Sequence, residues 1–257
     1  MALLSPRCPV PPREQAWIEK MLAWCVDRFG DLPLRGPVVE PTAEFFPGPY
    51  LGAGPDVLRV VDRVRVLMGI DADRVEVALD VDEASGDLDA MPLQPGRRTV
   101  AAGHYERRGE RGYIRIDPIE TGDQSRLVAV AAHEFCHELL LGRGGVPGAD
   151  GADHEPLTDL LTVFTGFGIF AANAAFRFES SNSGWRTRRL GYLNAPMFGY
   201  ALACYAWLRG EAGSHEQPRW VGFLDTNPRG YLKQGIRYLE VRGPSPELAR
   251  LKFLRNG

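Results

Sequence analysis

The chain has 257 residues, a formal net charge of −3 and a composition that is 44% hydrophobic and 25% charged. These values are typical of a globular protein that buries a substantial core, in one large domain or two small ones. No general positive charge is present to attract nucleic acid or an anionic membrane surface, so we expect neither as a partner.

The N-terminal part is predicted to contain two helices and a strand. In chain order, the predicted elements are a helix over Glu14–Phe29, a proline- and glycine-rich loop over Leu32–Gly54, a helix over Pro55–Met68 and a strand over Val75–Asp82. Both helices have apolar residues at helical spacing and are followed by a glycine, Gly30 or Gly69, that suits a helix end. The strand alternates apolar and polar residues, which is typical of a half-buried strand.

A β-hairpin and a long helix are predicted in the middle of the chain. Thr99–Glu106 and Gly112–Asp117 have strand-like composition and are separated by a short turn that contains a glycine. Asp123 can cap a helix that continues to Leu141. The glycine-rich segment Gly142–Gly151 is predicted to be a connector.

The C-terminal half is predicted to be mainly helical. The predicted helices cover His154–Phe178, Pro196–Arg209, Pro228–Glu240 (capped by Asn227) and Pro246–Leu254, and a polar loop covers Ser180–Arg189. Leu160–Phe176 and Leu190–Leu208 are uncharged and approach membrane-spanning length, but their polar residues favour buried core helices. Because strands come early and helices late, the sequence predicts an α+β fold with a small sheet packed on the long central helix.

The central predicted helix contains the run His133-Glu134-Phe135-Cys136-His137, which has the pattern H-E-x-x-H. Residues four apart share one face of a helix, so His133 and His137 can bind one Zn²⁺. Glu134 then lies close enough to accept a proton from a water molecule at the metal. Cys136 lies on another side of the helix and is predicted to be a buried apolar residue.

A catalytic zinc site usually has three protein ligands and leaves a fourth position for water. Three residues at the start of the next predicted helix are candidates for the third ligand: His154, Glu155 and Asp159. Glu155 and Asp159 are four residues apart and share a helical face. One carboxylate can therefore bind the metal while the other hydrogen-bonds a ligating histidine, and the spacing leaves open which residue is the ligand.

H-E-x-x-H followed by E-x-x-x-D resembles the gluzincin metallopeptidases, the thermolysin-like clan, over about Thr99–Phe178. The resemblance implies a zincin-like core with Zn²⁺ bound by His133, His137 and Glu155, with Glu134 as general base and Asp159 as the residue that supports the site. It implies a compact zinc-dependent peptidase that acts on a peptide or protein. In that clan a hairpin strand aligns the peptide, and we expect Gly112–Asp117 to do so here.

The chain departs from the pattern of the clan at three points. The domain that flanks the core differs from that of the large thermolysin-like enzymes, which suggests a compact, minimal form. Pro156 directly follows the proposed ligand Glu155, where a proline fits only in the first turn of a helix. The clan also has an oxyanion-stabilising tyrosine or histidine, for which Tyr192, Tyr200 and His215 are candidates in this sequence.

Two other functions are compatible with the motif. One is a zinc hydrolase that acts on a non-protein amide, because H-E-x-x-H also serves deformylase-type chemistry. The other is a metal-stabilised binding or regulatory module with little turnover. The protein could also be a latent peptidase that a partner or processing releases, with the Leu32–Gly54 segment covering its cleft. An intact Glu134 argues against a purely structural metal, which usually has a closed ligand set.

The organisation and the location of the chain are predicted as follows. Residues 1–97 form an N-terminal α/β portion, residues 98–180 a zincin-like metal-binding core and residues 181–257 a helical C-terminal portion, within one compact domain. The N-terminal dozen residues lack the continuous apolar core of a secretory signal. We expect a cytoplasmic location and reduced thiols at the four widely separated cysteines, which are Cys8, Cys25, Cys136 and Cys204.

Overall fold

The structure, a computed structural model, describes residues 5–79, 103–117, 122–142, 154–180, 193–212 and 217–251. In chain order, its helices and strands are α1 (Pro12–Phe29), α2 (Leu32–Arg35), α3 (Gly54–Leu67), β1 (Val75–Leu79), β2 (Gly103–Arg108), β3 (Arg111–Ile116), α4 (Gln124–Gly142), α5 (Glu155–Phe164), α6 (Gly168–Ser180), α7 (Ala195–Arg209), α8 (Thr226–Arg242) and α9 (Pro246–Ala249). The predicted α+β class is confirmed.

The helix starts show how local chemistry sets the boundaries of these elements. The Asp123 carboxylate accepts hydrogen bonds from the backbone N–H groups of Ser125 (2.8 Å) and Arg126 (3.4 Å), so the predicted cap of α4 is confirmed. The predicted cap of α8 is wrong. This helix begins at Thr226, and Asn227 therefore lies inside its first turn.

The three described strands form one mixed sheet in the order β1-β3-β2. β2 and β3 form the predicted antiparallel hairpin, which turns at Gly109 with a left-handed φ of 62°. β1 pairs with β3 in parallel. Both edges of β3 are therefore occupied, and the prediction that Gly112–Asp117 aligns a peptide is wrong, because among the described strands only β1 and β2 have a free edge.

The helix α4 lies at the centre of the molecule, in contact with β2 and β3 on one side and with α3, α5 and α6 on others. Buried apolar residues from all three predicted portions form one hydrophobic core, and they include Ile18, Ile114, Phe135, Leu160 and Leu202. The predicted boundaries at residues 97–98 and 180–181 fall at or within segments outside the described residues and stay predictions.

The predicted single helix His154–Phe178 is wrong, because α5 and α6 are separate helices. α5 ends where Gly166 adopts a left-handed φ of 90°. The Gly166 N–H donates to the Val163 carbonyl (3.1 Å), and the Phe167 N–H donates to the Thr162 carbonyl (2.8 Å). These two bonds form a Schellman motif, which satisfies carbonyls at the end of α5 and redirects the chain into α6.

The proline- and glycine-rich segment Leu32–Gly54 contains α2 and a turn closed by the Phe46 N–H on the Thr42 carbonyl (2.9 Å), and the loop prediction holds for most of its length. Its side chains enter the hydrophobic core at Val38, Val39, Phe45 and Phe46. Arginine side chains bind its carbonyl groups: Arg59 at Pro47 and Pro49, Arg63 at Phe45, and Arg209 at Leu34 and Gly36. Leu34 of α2 also belongs to the core, so release of this segment would expose five core side chains.

The two apolar stretches form buried helices, as predicted, within the part that the structure describes. No helix in that part combines the length and the apolar character needed to cross a membrane. All four cysteines are free, and Cys136 is fully buried as predicted. Beyond their first residues, the predicted segments Gly142–Gly151 and Ser180–Arg189 lie outside the described residues.

Replacement of Gly166 by alanine should lower the free energy of unfolding by about 1–3 kcal/mol, because an L-residue is strained at a φ of 90°. A Cβ there would also lie 3.2 Å from the Pro37 carbonyl oxygen. Urea denaturation of Gly166→Ala and wild type measures the difference. The matched control is Gly230→Ala in α8, where no atom lies within 4 Å of the new Cβ, and this variant should be at least as stable as wild type. Equal stability of the two variants would contradict the prediction.

Candidate metal centre

Four polar side chains on one stretch of α4 define the candidate site. His133 and His137 are four residues apart, as are Glu134 and Glu138, so each pair shares a helical face. The two imidazole rings lie with centroids 4.8 Å apart at an interplanar angle of 82°. The helix thus brings the two predicted histidine ligands together, as its periodicity requires.

The first turn of α5 brings a carboxylate to the same place. Oε2 of Glu155 lies 3.1 Å from Nε2 of His133 and 3.5 Å from Nε2 of His137. One potential ligand atom from each of the three residues lies within 4.8 Å of the others. Pro156 lies in the first turn of α5, where the missing backbone N–H has no helical partner, so this departure from the clan's pattern fits the observed helix.

The outer nitrogen of each histidine is bound by a second residue of α5. Nδ1 of His133 lies 2.9 Å from Oδ1 of Asp159, and Nδ1 of His137 lies 3.3 Å from Oγ1 of Thr158. The Thr158 hydroxyl donates to the carbonyl of His154 (2.9 Å), so its oxygen accepts from the His137 ring. Both rings then carry their proton on Nδ1 and present the Nε2 lone pair to a metal.

Asp159 also reaches beyond the two helices. Its Oδ2 accepts a hydrogen bond from the backbone N–H of Leu193 (3.0 Å), just before α7. The carboxylate is nearly fully buried, and both of its oxygens have protein partners. Asp159 therefore faces the outer nitrogen of His133, as predicted for a supporting residue.

His154 lies beside the site rather than within the converging group. Its ring centroid is 5.1 Å from that of His137, and its Nε2 is 3.9 Å from Oε1 of Glu155. Of the three candidates for the third ligand, Glu155 is the one that joins His133 and His137 in the group of converging atoms. Its role as a ligand stays a prediction.

The surroundings of His133 favour a positive charge, whereas burial lowers the pKa of His137 and so favours its neutral form. Burial lowers the pKa of His133, but its hydrogen bonds to Asp159 and Glu155 more than offset this effect and raise the pKa to about 10. Burial likewise opposes ionisation of Glu155, yet its hydrogen bonds to His133 and His137 lower its pKa overall. Carboxylates that favour a proton on the His133 ring also favour a metal cation beside it, and a neutral His137 keeps a lone pair for the same cation.

Glu134 lies on the side of α4 that faces the sheet. Its carboxylate is packed against Gly103 of β2 so closely that a Cβ at this glycine would lie 2.6 Å from Oε1 of Glu134. Burial raises the pKa of Glu134 to about 7. A group that titrates near neutral pH can both accept and return a proton. Among the described residues, none forms a hydrogen bond to this carboxylate, which leaves it available for proton transfer.

One turn further along α4, the Glu138 carboxylate is held by residues from the sheet. Its Oε1 accepts hydrogen bonds from the guanidinium of Arg74 (2.8 and 3.1 Å), and its Oε2 accepts one from the Tyr105 hydroxyl (2.7 Å). The sequence analysis missed Glu138, Tyr105, Thr158 and Gly103. Of these four residues, only Glu138 had a sequence pattern that could have indicated its place near the site, because it lies one helical turn after Glu134.

Of the three candidates for an oxyanion-stabilising residue, only Tyr200 lies among the described residues, and its hydroxyl has another partner. The Tyr200 hydroxyl is buried and donates to the carboxylate of Glu19 on α1, so it is unavailable to a substrate at the metal centre. Tyr192 and His215 lie outside the described residues.

The donor atoms suit a zinc ion. Two imidazole nitrogens and one carboxylate oxygen form a donor set typical of catalytic zinc, and three protein ligands leave a coordination position for water. No protein-family model, curated protein or solved structure matches this chain. The resemblance to gluzincins therefore rests on the motif residues and their spacing.

Replacement of Glu155 should weaken zinc binding far more than replacement of the adjacent histidine. Glu155→Ala removes a carboxylate that lies within 3.5 Å of both Nε2 atoms, whereas His154→Ala removes a ring outside the converging group. Zinc content after dialysis, measured by mass spectrometry, should fall well below one equivalent in Glu155→Ala and stay near one in His154→Ala. A full equivalent of zinc in Glu155→Ala would show that another residue is the third ligand.

Thr158→Val should weaken zinc binding by about 10-fold, the lower end of the effect of removing a partner of a ligating histidine. Valine keeps the shape of threonine but cannot accept the hydrogen bond from Nδ1 of His137. Competition with a fluorescent zinc chelator measures the affinity. Thr165→Val, at the opposite end of α5, is the control, since its hydroxyl donates to the backbone carbonyls of Leu161 and Thr162 and not to a proposed ligand. An unchanged affinity in Thr158→Val would show that the tautomer of His137 is fixed by other means.

Proposed function

We propose that this protein is a zinc-dependent peptidase with a zincin-like core formed by the sheet, α4 and α5. One observation carries the proposal: the buried Glu134 carboxylate lies on the same helix as two converging histidines but outside the group of converging ligand atoms. A structural metal site has no need of such a carboxylate, whereas hydrolysis needs a proton acceptor at this place.

The proposed roles follow from the chemistry of each residue. His133, His137 and Glu155 hold Zn²⁺, which when bound supplies a Lewis acid that activates water and polarises a carbonyl group. Asp159 and Thr158 keep the two rings in the orientation and tautomer that binding requires. Glu134 accepts a proton from the attacking water and delivers it to the leaving amine, and its pKa of about 7 suits both steps.

The free edge of β2 supports a peptide as the substrate. β2 pairs with β3 on one side only, among the described strands. Gly103 of this strand packs on Glu134, and the Tyr105 ring lies against that of His137. An extended peptide that adds to this edge would therefore run alongside the catalytic carboxylate. This role passes from β3, where the sequence analysis assigned it, to β2.

Glu134→Gln should bind one equivalent of zinc and lose at least about 100-fold in kcat, because glutamine has a similar shape but cannot accept the proton. Cleavage of a quenched fluorescent peptide library by zinc-loaded protein measures activity, and a chelator should abolish it in the wild type. Glu240→Gln, at an exposed site on α8, is the matched control and should keep full activity.

Two outcomes would contradict the proposal. Full activity of Glu134→Gln would remove Glu134 from the mechanism. A wild-type protein that binds zinc but cleaves no peptide would reject the peptidase, and turnover of small formylated or acylated amides by the same preparation would identify an amide hydrolase instead.

A further inference from the structure

Glu138 is the most deeply buried carboxylate of α4, and the proposed reaction does not use it. Its side chain is 1% exposed, whereas those of its partners Arg74 and Arg107 are 34% and 31% exposed. A carboxylate buried to this degree needs strong partners. Arg74 supplies two hydrogen bonds to one oxygen and Tyr105 supplies one to the other, with Arg107 3.7 Å away.

Glycines make room for this carboxylate. A Cβ on Gly112 of β3 would lie 2.7 Å from Oε2 of Glu138, and a Cβ on Gly142 would overlap Oε1. Gly103 makes room for Glu134 in the same way. At Gly103 and Gly112 the sheet and α4 therefore approach so closely that side chains are excluded, and small changes in their separation would displace both carboxylates.

The partners of Glu138 belong to different parts of the sheet. Arg74 directly precedes β1, and Tyr105 lies in β2, two residues after Gly103 and on the same face of the strand. The Tyr105 ring lies nearly parallel to that of His137, with centroids 5.9 Å apart and an interplanar angle of 21°. One side chain of β2 thus contacts both the buried carboxylate and a proposed metal ligand.

We propose that Glu138, Arg74 and Tyr105 form a positioning cluster, which fixes the separation of β2 and α4 at the metal centre and thereby holds the His137 ring in its binding orientation. The proposal rests on the metal centre proposed above. Residues of α5 bind the outer nitrogens of both histidines. The sheet adds a second support, because Tyr105 of β2 packs against the face of the His137 ring. A ring held on two sides loses less freedom when it binds a metal.

The test compares two tyrosine-to-phenylalanine variants. Tyr105 and Tyr200 each donate a hydroxyl to a buried glutamate, Glu138 and Glu19 respectively. Tyr105→Phe should weaken zinc affinity by about 10-fold, measured by chelator competition, and should shift the visible absorption bands of the cobalt-substituted protein. Tyr200→Phe should keep zinc affinity within about twofold and leave the cobalt spectrum unchanged, since Glu19 and its other partners, Gln15 and Ser245, form no hydrogen bond with a proposed ligand among the described residues.

Hydrogen exchange separates this proposal from that of the metal centre. In Tyr105→Phe, amides of β2 should exchange faster than in the wild type, with or without zinc, while those of α7 should not. A wild-type protein that binds no zinc would reject the metal centre, and the exchange of β2 would still test the cluster. Wild-type exchange in Tyr105→Phe, or equal losses of zinc affinity in both variants, would overturn the proposal.

A second variant covers the case in which Tyr105→Phe does not fold, as judged by circular dichroism. Arg74→Lys keeps the positive charge but loses the two-nitrogen contact with Oε1 of Glu138. It should show the same faster exchange in β2 and a similar fall in zinc affinity. Wild-type values for both measurements in Arg74→Lys would likewise overturn the proposal.

Discussion

Polar groups buried on an apolar helix constrain this structure more than any other feature. α4 lies in the hydrophobic core, yet it carries two histidines and two glutamates over six residues. A buried polar group is costly unless it is hydrogen-bonded or paired. The histidines find their partners on α5 and Glu138 finds its partners on the sheet, so the site forms only when both are docked against α4.

The parts of the site that were predictable from the sequence are those set by helical periodicity. The pairing of His133 with His137, and the common face of Glu155 and Asp159, follow from a spacing of four residues. Thr158 escaped prediction because a threonine inside a helix has no distinctive pattern, and its contact with His137 spans 21 residues. Glu138 escaped for a similar reason, since its partner Arg74 lies 64 residues upstream.

The errors in the predicted fold have the same origin. The parallel pairing of β1 with β3 joins strands distant in sequence, and it decides which strand has a free edge. The break between α5 and α6 lies in a nearly continuous apolar run, where periodicity cannot locate a helix end because neighbouring residues on all sides are buried. Gly166 was visible in the sequence, but a glycine within an apolar helix and one that ends it look alike.

Glu134 and Glu138 show how surroundings divide one residue type between two roles. Both lie on the sheet-facing side of α4, one turn apart, and both are packed beneath glycines of the sheet. Glu138 lies among two arginines and a tyrosine hydroxyl, which together hold both of its carboxylate oxygens in place. Burial is the main influence on Glu134 and raises the pKa of its carboxyl to about 7, with smaller effects from the neighbouring His133, Glu155 and His104. A carboxylate that is bound on both oxygens is suited to hold a strand in place, as proposed for Glu138. One that is buried without such bonds among the described residues is suited to exchange a proton, as proposed for Glu134.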